Sequence, residues 1–185
     1  MDDRELTAGV REELERDIRR AIRDVPEFPK PGIVFKDVTP LLLDASLFAR
    51  TIKGLASPFL NDGITHVLAV ESRGFLFGAP VALALGASLV PVRKSGKLPS
   101  RTLREPYALE YGHDALEIHD DALRGARGVL VVDDVLATGG TAGASCRLAE
   151  RAGASVRACV FLLELASLNG RSALRERRVK ALVQF

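Results

Sequence analysis

Val129-Leu130-Val131-Val132-Asp133-Asp134-Val135-Leu136-Ala137-Thr138-Gly139-Gly140-Thr141 sets two carboxylates and a loop of small residues directly after an apolar strand. Val129 to Val132, mostly β-branched, predicts a parallel strand covered on both faces. Thr141 onward predicts a helix with Leu148 inside and Glu150 and Arg151 outside. The loop then sits at a strand's carboxyl end, where open α/β sheets bind ligands, and the first amides of the following helix are free to donate to an anion. Gly139 and Gly140 allow close backbone approach, while Thr138 and Thr141 add hydroxyl donors. Asp133 and Asp134 can accept hydrogen bonds from vicinal hydroxyls. Phosphate at one end and a diol at the other describe a pentose 5-phosphate. A strand whose acidic end only caps a helix would need one Asp and no such loop. Neither G-x-x-x-x-G-K-[ST] nor G-x-G-x-x-G occurs, since Gly96-Lys97 is followed by Leu98.

A chain of 185 residues predicts one domain, 1–185, with a full core and no need of staples. The balance of 26 Lys plus Arg against 24 Asp plus Glu offers no general drive toward nucleic acid, so any basic site must be local. Cys146 and Cys159 form no CxxC pair, and His66, His113 and His119 form no HExxH, so both cysteines are expected in the core and no protein metal site is expected. The acidic start, Met1 to Glu5, lacks the layout of a secretory signal; a cytoplasmic, reducing setting is expected. Gly74 to Val92 carries no charge, but its glycines and prolines argue against a membrane span and for a loop, a buried helix from about Phe75 to Leu85 and a buried strand from Ser88 to Val92.

Val10, Leu14, Ile18 and Ile22 predict an amphipathic first helix stopped by Pro26. Pro29 and Pro31 hold an extended segment before a short strand at Ile33-Val34-Phe35, and Asp44 is the expected N-cap of a second helix carrying Phe48, Ile52, Leu55 and Phe59. Strands at 67–70, 88–92, 129–132 and 156–163 alternate with helices at 75–85 and 141–152, as in a parallel α/β sheet. Residues 94–127 interrupt that alternation. They are expected to form a polar stretch to Pro106 and then a hairpin turning at Gly112-His113, a length that suits a lid.

The 129–141 stretch resembles the signature for phosphoribosyl diphosphate (PRPP) in type I phosphoribosyltransferases. Phe28 to Asp37 (FPKPGIVFKD), Glu71 to Gly78 (ESRGFLFG) and Tyr107 to Gly112 (YALEYG) narrow the resemblance to the adenine phosphoribosyltransferases. It implies that fold: a mostly parallel sheet flanked by helices, with a small N-terminal hood to about residue 40 and a flexible catalytic loop over about 94–112. It implies purine salvage, in which PRPP and adenine give AMP and pyrophosphate, and a homodimer without nucleic-acid or membrane partners.

Transfer of a phosphoribosyl group needs a grip on the leaving pyrophosphate, stabilisation of a cationic anomeric carbon, and orientation of the base. Five cations fall within twelve residues at Arg93, Lys94, Lys97, Arg101 and Arg104. The resemblance implies pyrophosphate contacts from Arg73, Lys94 and Lys97. It also implies a cis peptide before Ser72, and PRPP and AMP contacts from Asp133, Asp134, Ala137, Thr138, Gly139, Gly140 and Thr141. Glu110 is implied at N7 of adenine with Tyr111 beside the ribose, and adenine itself between Phe35 and Leu165, its edge read by the main chain of Val34 and Lys36. Mg²⁺ is expected to enter chelated by PRPP rather than caged by protein. Relatives that act on 6-oxopurines usually carry Asp where this chain has Ala137, which disfavours hypoxanthine, guanine or xanthine. A PRPP-sensing regulator of RNA or DNA on the same fold is the reading from another class; low net charge and the Glu110-Tyr111 pair count against it.

Overall fold

The computed structural model describes residues 7–109 and 112–185. Its N-terminal helix α1 (Ala8–Ala21) buries Leu14 and Ile18 and ends before Pro26 is reached. The chain is captured earlier than the proline because β1 (Arg23–Pro26) pairs antiparallel with β2 (Val34–Asp37), cross-linked by Arg23 to Asp37 and by Lys36 to Asp24. A short α2 (Thr39–Leu43) leads to α3 (Ala45–Ala56), whose first turn is capped as predicted by the Asp44 carboxylate accepting from the Leu47 amide at 2.9 Å.

The main sheet has seven strands: β3 (His66–Val70), β4 (Ser88–Lys94), β5 (Thr102–Leu109), β6 (Gly112–His119), β7 (Val129–Leu136), β8 (Val156–Glu164) and β9 (Val179–Gln184). Their order is β5-β6-β4-β3-β7-β8-β9. The five from β4 to β9 run parallel, and the β5–β6 hairpin joins antiparallel at the β4 edge. Helix α4 (Gly74–Leu85) connects β3 to β4, and α5 (Gly140–Arg151) connects β7 to β8. Side chains of β7 alternate between the two cores: Leu130 and Val132 join Leu14, Ile18, Leu55 and Phe77, while Val129 and Val131 join Leu116, Ile118 and Leu148. An uninterrupted apolar run is what such a doubly covered strand requires.

Several predicted elements are redrawn by tertiary contacts. Strand β7 does not stop at Val132; pairing with β8 carries it through Asp133 and Asp134 to Leu136. The stretch from Thr102 to Pro106 is strand rather than loop, because β6 supplies a partner along its whole length, and Gly112 and His113 pair in that ladder instead of turning it. Strand β4 is buried only at Val90 and Val92, and α4 leaves Leu83 84% exposed and Leu76 46% exposed, so neither element is the buried segment expected. The edge strand β9 went unpredicted. No helix among the described residues is long and apolar enough to cross a membrane.

Helix α4 lies so close to β3 that a Cβ on Gly78 would collide with the Ala69 methyl. Gly78→Ala is therefore expected to cost about 1–3 kcal/mol by overpacking, read as a lower midpoint in urea denaturation with an unchanged slope.

Candidate active site

The sheet reverses its winding between β3 and β7. After β3 the chain crosses through α4 to β4 on one side, and after β7 it crosses through α5 to β8 on the other, so the two strand ends part and open a crevice. Pairing of β3 with β7 ends at Ala69 and Val132, whereas β7 stays paired with β8 as far as Leu136. Asp133 and Asp134 thus belong to a strand held on one side only. The vacated side faces Glu71-Ser72-Arg73, where the Glu71–Ser72 peptide is cis.

A cavity of about 770 Å³ occupies this crevice. Of the residues named from sequence, Val34, Phe35, Lys36, Arg73, Lys94, Asp133, Asp134, Ala137, Thr141 and Leu165 all line it. Thr138, Gly139 and Gly140 line an adjoining recess of about 60 Å³ at the start of α5, where the first-turn amides lack helical partners. Lys97 is exposed and lies outside both linings. Glu110 and Tyr111 lie outside the described residues.

Gly139, the N-cap of α5, has φ +82°, and a Cβ there would collide with the Gly170 carbonyl. Both facts require glycine. The loop is therefore pressed from behind by the segment after β8, a contact that its own sequence does not announce.

The two carboxylates are electrostatically unequal. Asp134 is buried, with Oδ2 2.6 Å from Arg73 Nε, yet the N–H is not aligned for a hydrogen bond and that oxygen has no donor. Asp133 Oδ1 accepts from the Asp134 amide at 2.9 Å. Burial, then the neighbouring Asp134 charge, hold the Asp133 carboxyl well above its ordinary range. Arg73 also stacks over Phe35, 4.9 Å from the ring centroid, and Phe28 meets Phe35 edge-on at 5.2 Å. Phe35 is half-buried against the cavity rather than part of the core. The Lys36 ammonium is held by Asp24 at 2.7 Å and lies 4.3 Å from the Phe185 ring, so that side chain is already engaged.

Three residues of the site were missed in the sequence. Glu71 accepts from Arg93 Nε at 3.1 Å and from the Lys94 amide at 2.9 Å, tying the end of β4 to the end of β3 and taking Arg93 out of the cationic cluster. Tyr107, buried on β5, donates to Asp114 Oδ2 at 3.3 Å; burial and the Asp114 charge push its phenol up. Asp114 also lies 3.8 Å from Lys94 Nζ. The spacing of Tyr107 and Asp114 around the hairpin was the available signal. On the outer face Glu105 is gripped by Arg147 at 2.6 Å and Arg151 at 2.8 Å, which fastens β5 to α5.

With this geometry in view, the likeness to known proteins is specific. Residues 41–180 match the family model described as "Phosphoribosyl transferase domain". Adenine phosphoribosyltransferase of Myxococcus xanthus is 54% identical over 172 residues, 93% of this chain and 94% of that protein. The chain belongs to the adenine phosphoribosyltransferase family. The crystal structure of the enzyme from Rhodothermus marinus superposes with a TM-score of 0.89 at 49% identity, covering 94% of this chain and 99% of that one. The Saccharomyces cerevisiae enzyme, complexed with D-2,5-dideoxy-2,5-imino-altritol 1,6-bisphosphate and adenine, gives 0.87 at 39% identity, covering 92% and 99%. The type I phosphoribosyltransferase fold expected from the signature is the fold observed.

Because Asp133 holds its proton more tightly when folded than unfolded, the native state retains protons that the unfolded chain has released. Its contribution to stability falls as pH rises from about 4. Asp133→Asn is therefore expected to raise the ligand-free melting midpoint at pH 8, with the gain shrinking toward pH 4, while weakening PRPP binding at least tenfold. Melting curves and a PRPP titration check the two halves separately.

Proposed function

We propose that this chain transfers the 5-phosphoribosyl group of PRPP to adenine, giving AMP and pyrophosphate. The observation that carries the proposal is the single crevice at the winding reversal, which gathers a helix N-terminus, two carboxylates, Arg73, Lys94 and an aromatic wall. The Saccharomyces cerevisiae relative, bound to adenine and a bisphosphate, supports the same pairing of ligands here.

In this reading the free amides of 139–141 and the hydroxyls of Thr138 and Thr141 take the 5-phosphate, with Ala137 contributing backbone. Asp133 and Asp134 accept from the ribose hydroxyls, which supplies the donor that Asp134 Oδ2 lacks. Arg73, Lys94 and Lys97 take the diphosphate; for Arg73 this means exchanging Asp134 for a more highly charged partner. Adenine lies between Phe35 and Leu165, with the main chain of Val34 and Lys36 reading its edge. Glu110 accepts from N7–H, which leaves the N9 lone pair free to bond to the anomeric carbon as the C1–oxygen bond breaks and its electron pair departs on pyrophosphate. The base proton passes to Glu110, and Tyr111 closes over the ribose. Ala137 offers no carboxylate to a 6-oxopurine.

Among the described residues no group of three or more His, Cys, Asp and Glu side chains is gathered as a metal cage. Mg²⁺ enters as part of the PRPP substrate, chelated by diphosphate and ribose hydroxyls, and the Asp133–Asp134 pair steers the ribose rather than the metal. The chain acts as one domain, with the N-terminal segment to about residue 40 as hood and β5 with the residues that follow it supplying the catalytic Glu110. A cytoplasmic setting fits the free thiols of Cys146 and Cys159. A homodimer is supported by exposed Leu43, Leu76 and Leu83 and by the apolar groove of about 540 Å³ that Phe48, Ile52 and Leu60 line between α3 and α4.

Incubation with PRPP, Mg²⁺ and one base at a time decides the reading: adenine is expected to give nucleotide rapidly, and hypoxanthine, guanine and uracil at least a hundredfold more slowly. Rapid turnover of a 6-oxopurine, or an RNA or DNA shift without turnover, would overturn it. Glu110→Gln is expected to lower kcat at least tenfold while PRPP still binds, measured by steady-state kinetics beside a PRPP titration.

A further inference from the structure

Behind the PRPP loop, on the side away from the proposed substrates, lies a second crevice of about 370 Å³. Its polar walls are Asn169, Arg171, Ser172, Arg175 and Arg177, and no carboxylate is among its lining residues. Arg171 is held in place by Glu164, with contacts of 2.8 Å from both Nε and Nη2. Arg177 gives Nη2 to Glu150 at 2.7 Å, but its Nε is buried and has no acceptor. Arg175 is exposed, and no acidic partner accompanies it among the described residues. Three guanidinium groups thus meet two carboxylates, leaving one positive charge unanswered on the walls of a concave site, with the unpaired Arg177 Nε buried behind them. Glu164 and Glu150 hold Arg171 and Arg177 in position, so ordering the site does not fall to an incoming ligand.

We infer that this crevice is a second anion site, which takes the phosphate group of a small molecule on Arg171, Arg175 and Arg177. Guanidinium forks match phosphate oxygens, and phosphate accepts several such bonds at once, which a chloride ion cannot do with equal geometry. The Asn169 amide and Ser172 hydroxyl add neutral polar groups at the rim. The occupant would sit directly behind the PRPP loop: a Cβ on Gly170 would collide with the Ala137 carbonyl, as one on Gly139 would with the Gly170 carbonyl. The site is separate from the 5-phosphate recess, whose lining residues it does not share.

Calorimetric titration at fixed ionic strength tests it, using inorganic phosphate in one arm and ribose 5-phosphate in the other, each with AMP saturating. AMP then fills the 5-phosphate recess and the base pocket but leaves the diphosphate contacts of Arg73 and Lys94 open, so the share of this crevice is the binding lost in Arg175→Ala. Wild type is expected to bind one phosphate group per chain in addition to AMP, and Arg175→Ala, which removes an exposed side chain without breaking an ion pair, to weaken that binding at least fivefold. Arg175→Lys is expected to recover part of the loss. Equal affinity in the two arms assigns recognition to the phosphate alone, and tighter binding of ribose 5-phosphate assigns some of it to the sugar. Absence of phosphate binding in the presence of AMP, or binding indifferent to Arg175→Ala, overturns the inference. If AMP itself fails to bind, the proposed active site is in error, while the difference between wild type and Arg175→Ala still reports on this crevice.

Discussion

The site depends on β7 outrunning β3. A parallel strand in the middle of a sheet normally satisfies its peptide groups on both sides, but beyond Val132 this one is paired only with β8. The vacated flank places polar side chains and peptide groups in a crevice that remains open to ligand, while the other flank stays rigid. Acidic residues can stand in such a strand because one of its sides is not core. Had β3 continued alongside to Leu136, Asp133 and Asp134 would be buried between strands and helices with no hydroxyl to receive.

Crowding two carboxylates into that gap is costly in the absence of ligand. Burial, and then the neighbouring Asp134 charge, raise the Asp133 pKa, and Arg73 offsets Asp134 by proximity without a well-aligned hydrogen bond. In the function proposed above, a sugar bearing vicinal hydroxyls and a diphosphate would relieve both problems, by donating to the carboxylates and by drawing the guanidinium onto a stronger anion. Strain of this sort is characteristic of a site organised for its ligand before the ligand arrives. The surrounding contacts hold it in place: Glu71 fastens β4 to the end of β3, and Glu105 fastens the hairpin to α5. Burial of the Glu105 carboxylate against Arg147 and Arg151 is offset by those two cations, which hold its pKa below the usual range.

Much of this was legible in the chain. The Val129–Thr141 run, the Gly-Gly loop and the small-residue helix start all report local geometry, because a buried strand followed by a tight turn onto a helix needs those residue types whatever lies around them. Glu71 was not legible, and Tyr107 and Asp114 were signalled only by their spacing around the hairpin. Each acts through a partner on another element or across a hairpin, and nothing in their immediate neighbours distinguishes a tyrosine that meets a site from one that fills a core. Exposure was misjudged for the same reason: α4 is apolar nearly all round, which reads as burial, yet Leu76 and Leu83 face outward.

Local order, then, came from the sequence alone: the central strands and their connecting helices, the glycine turn at 137–141, and the carboxylates that precede it. These follow from side-chain volume, branching and the freedom of glycine, which act over a few residues. Tertiary structure alone decided how far β7 extends, that residues 102–106 pair as a strand, that β9 completes the sheet, and that the segment after β8 abuts the 137–141 loop. All four are settled by hydrogen-bond partners or packing surfaces distant in sequence, and a strand ends where its neighbour does.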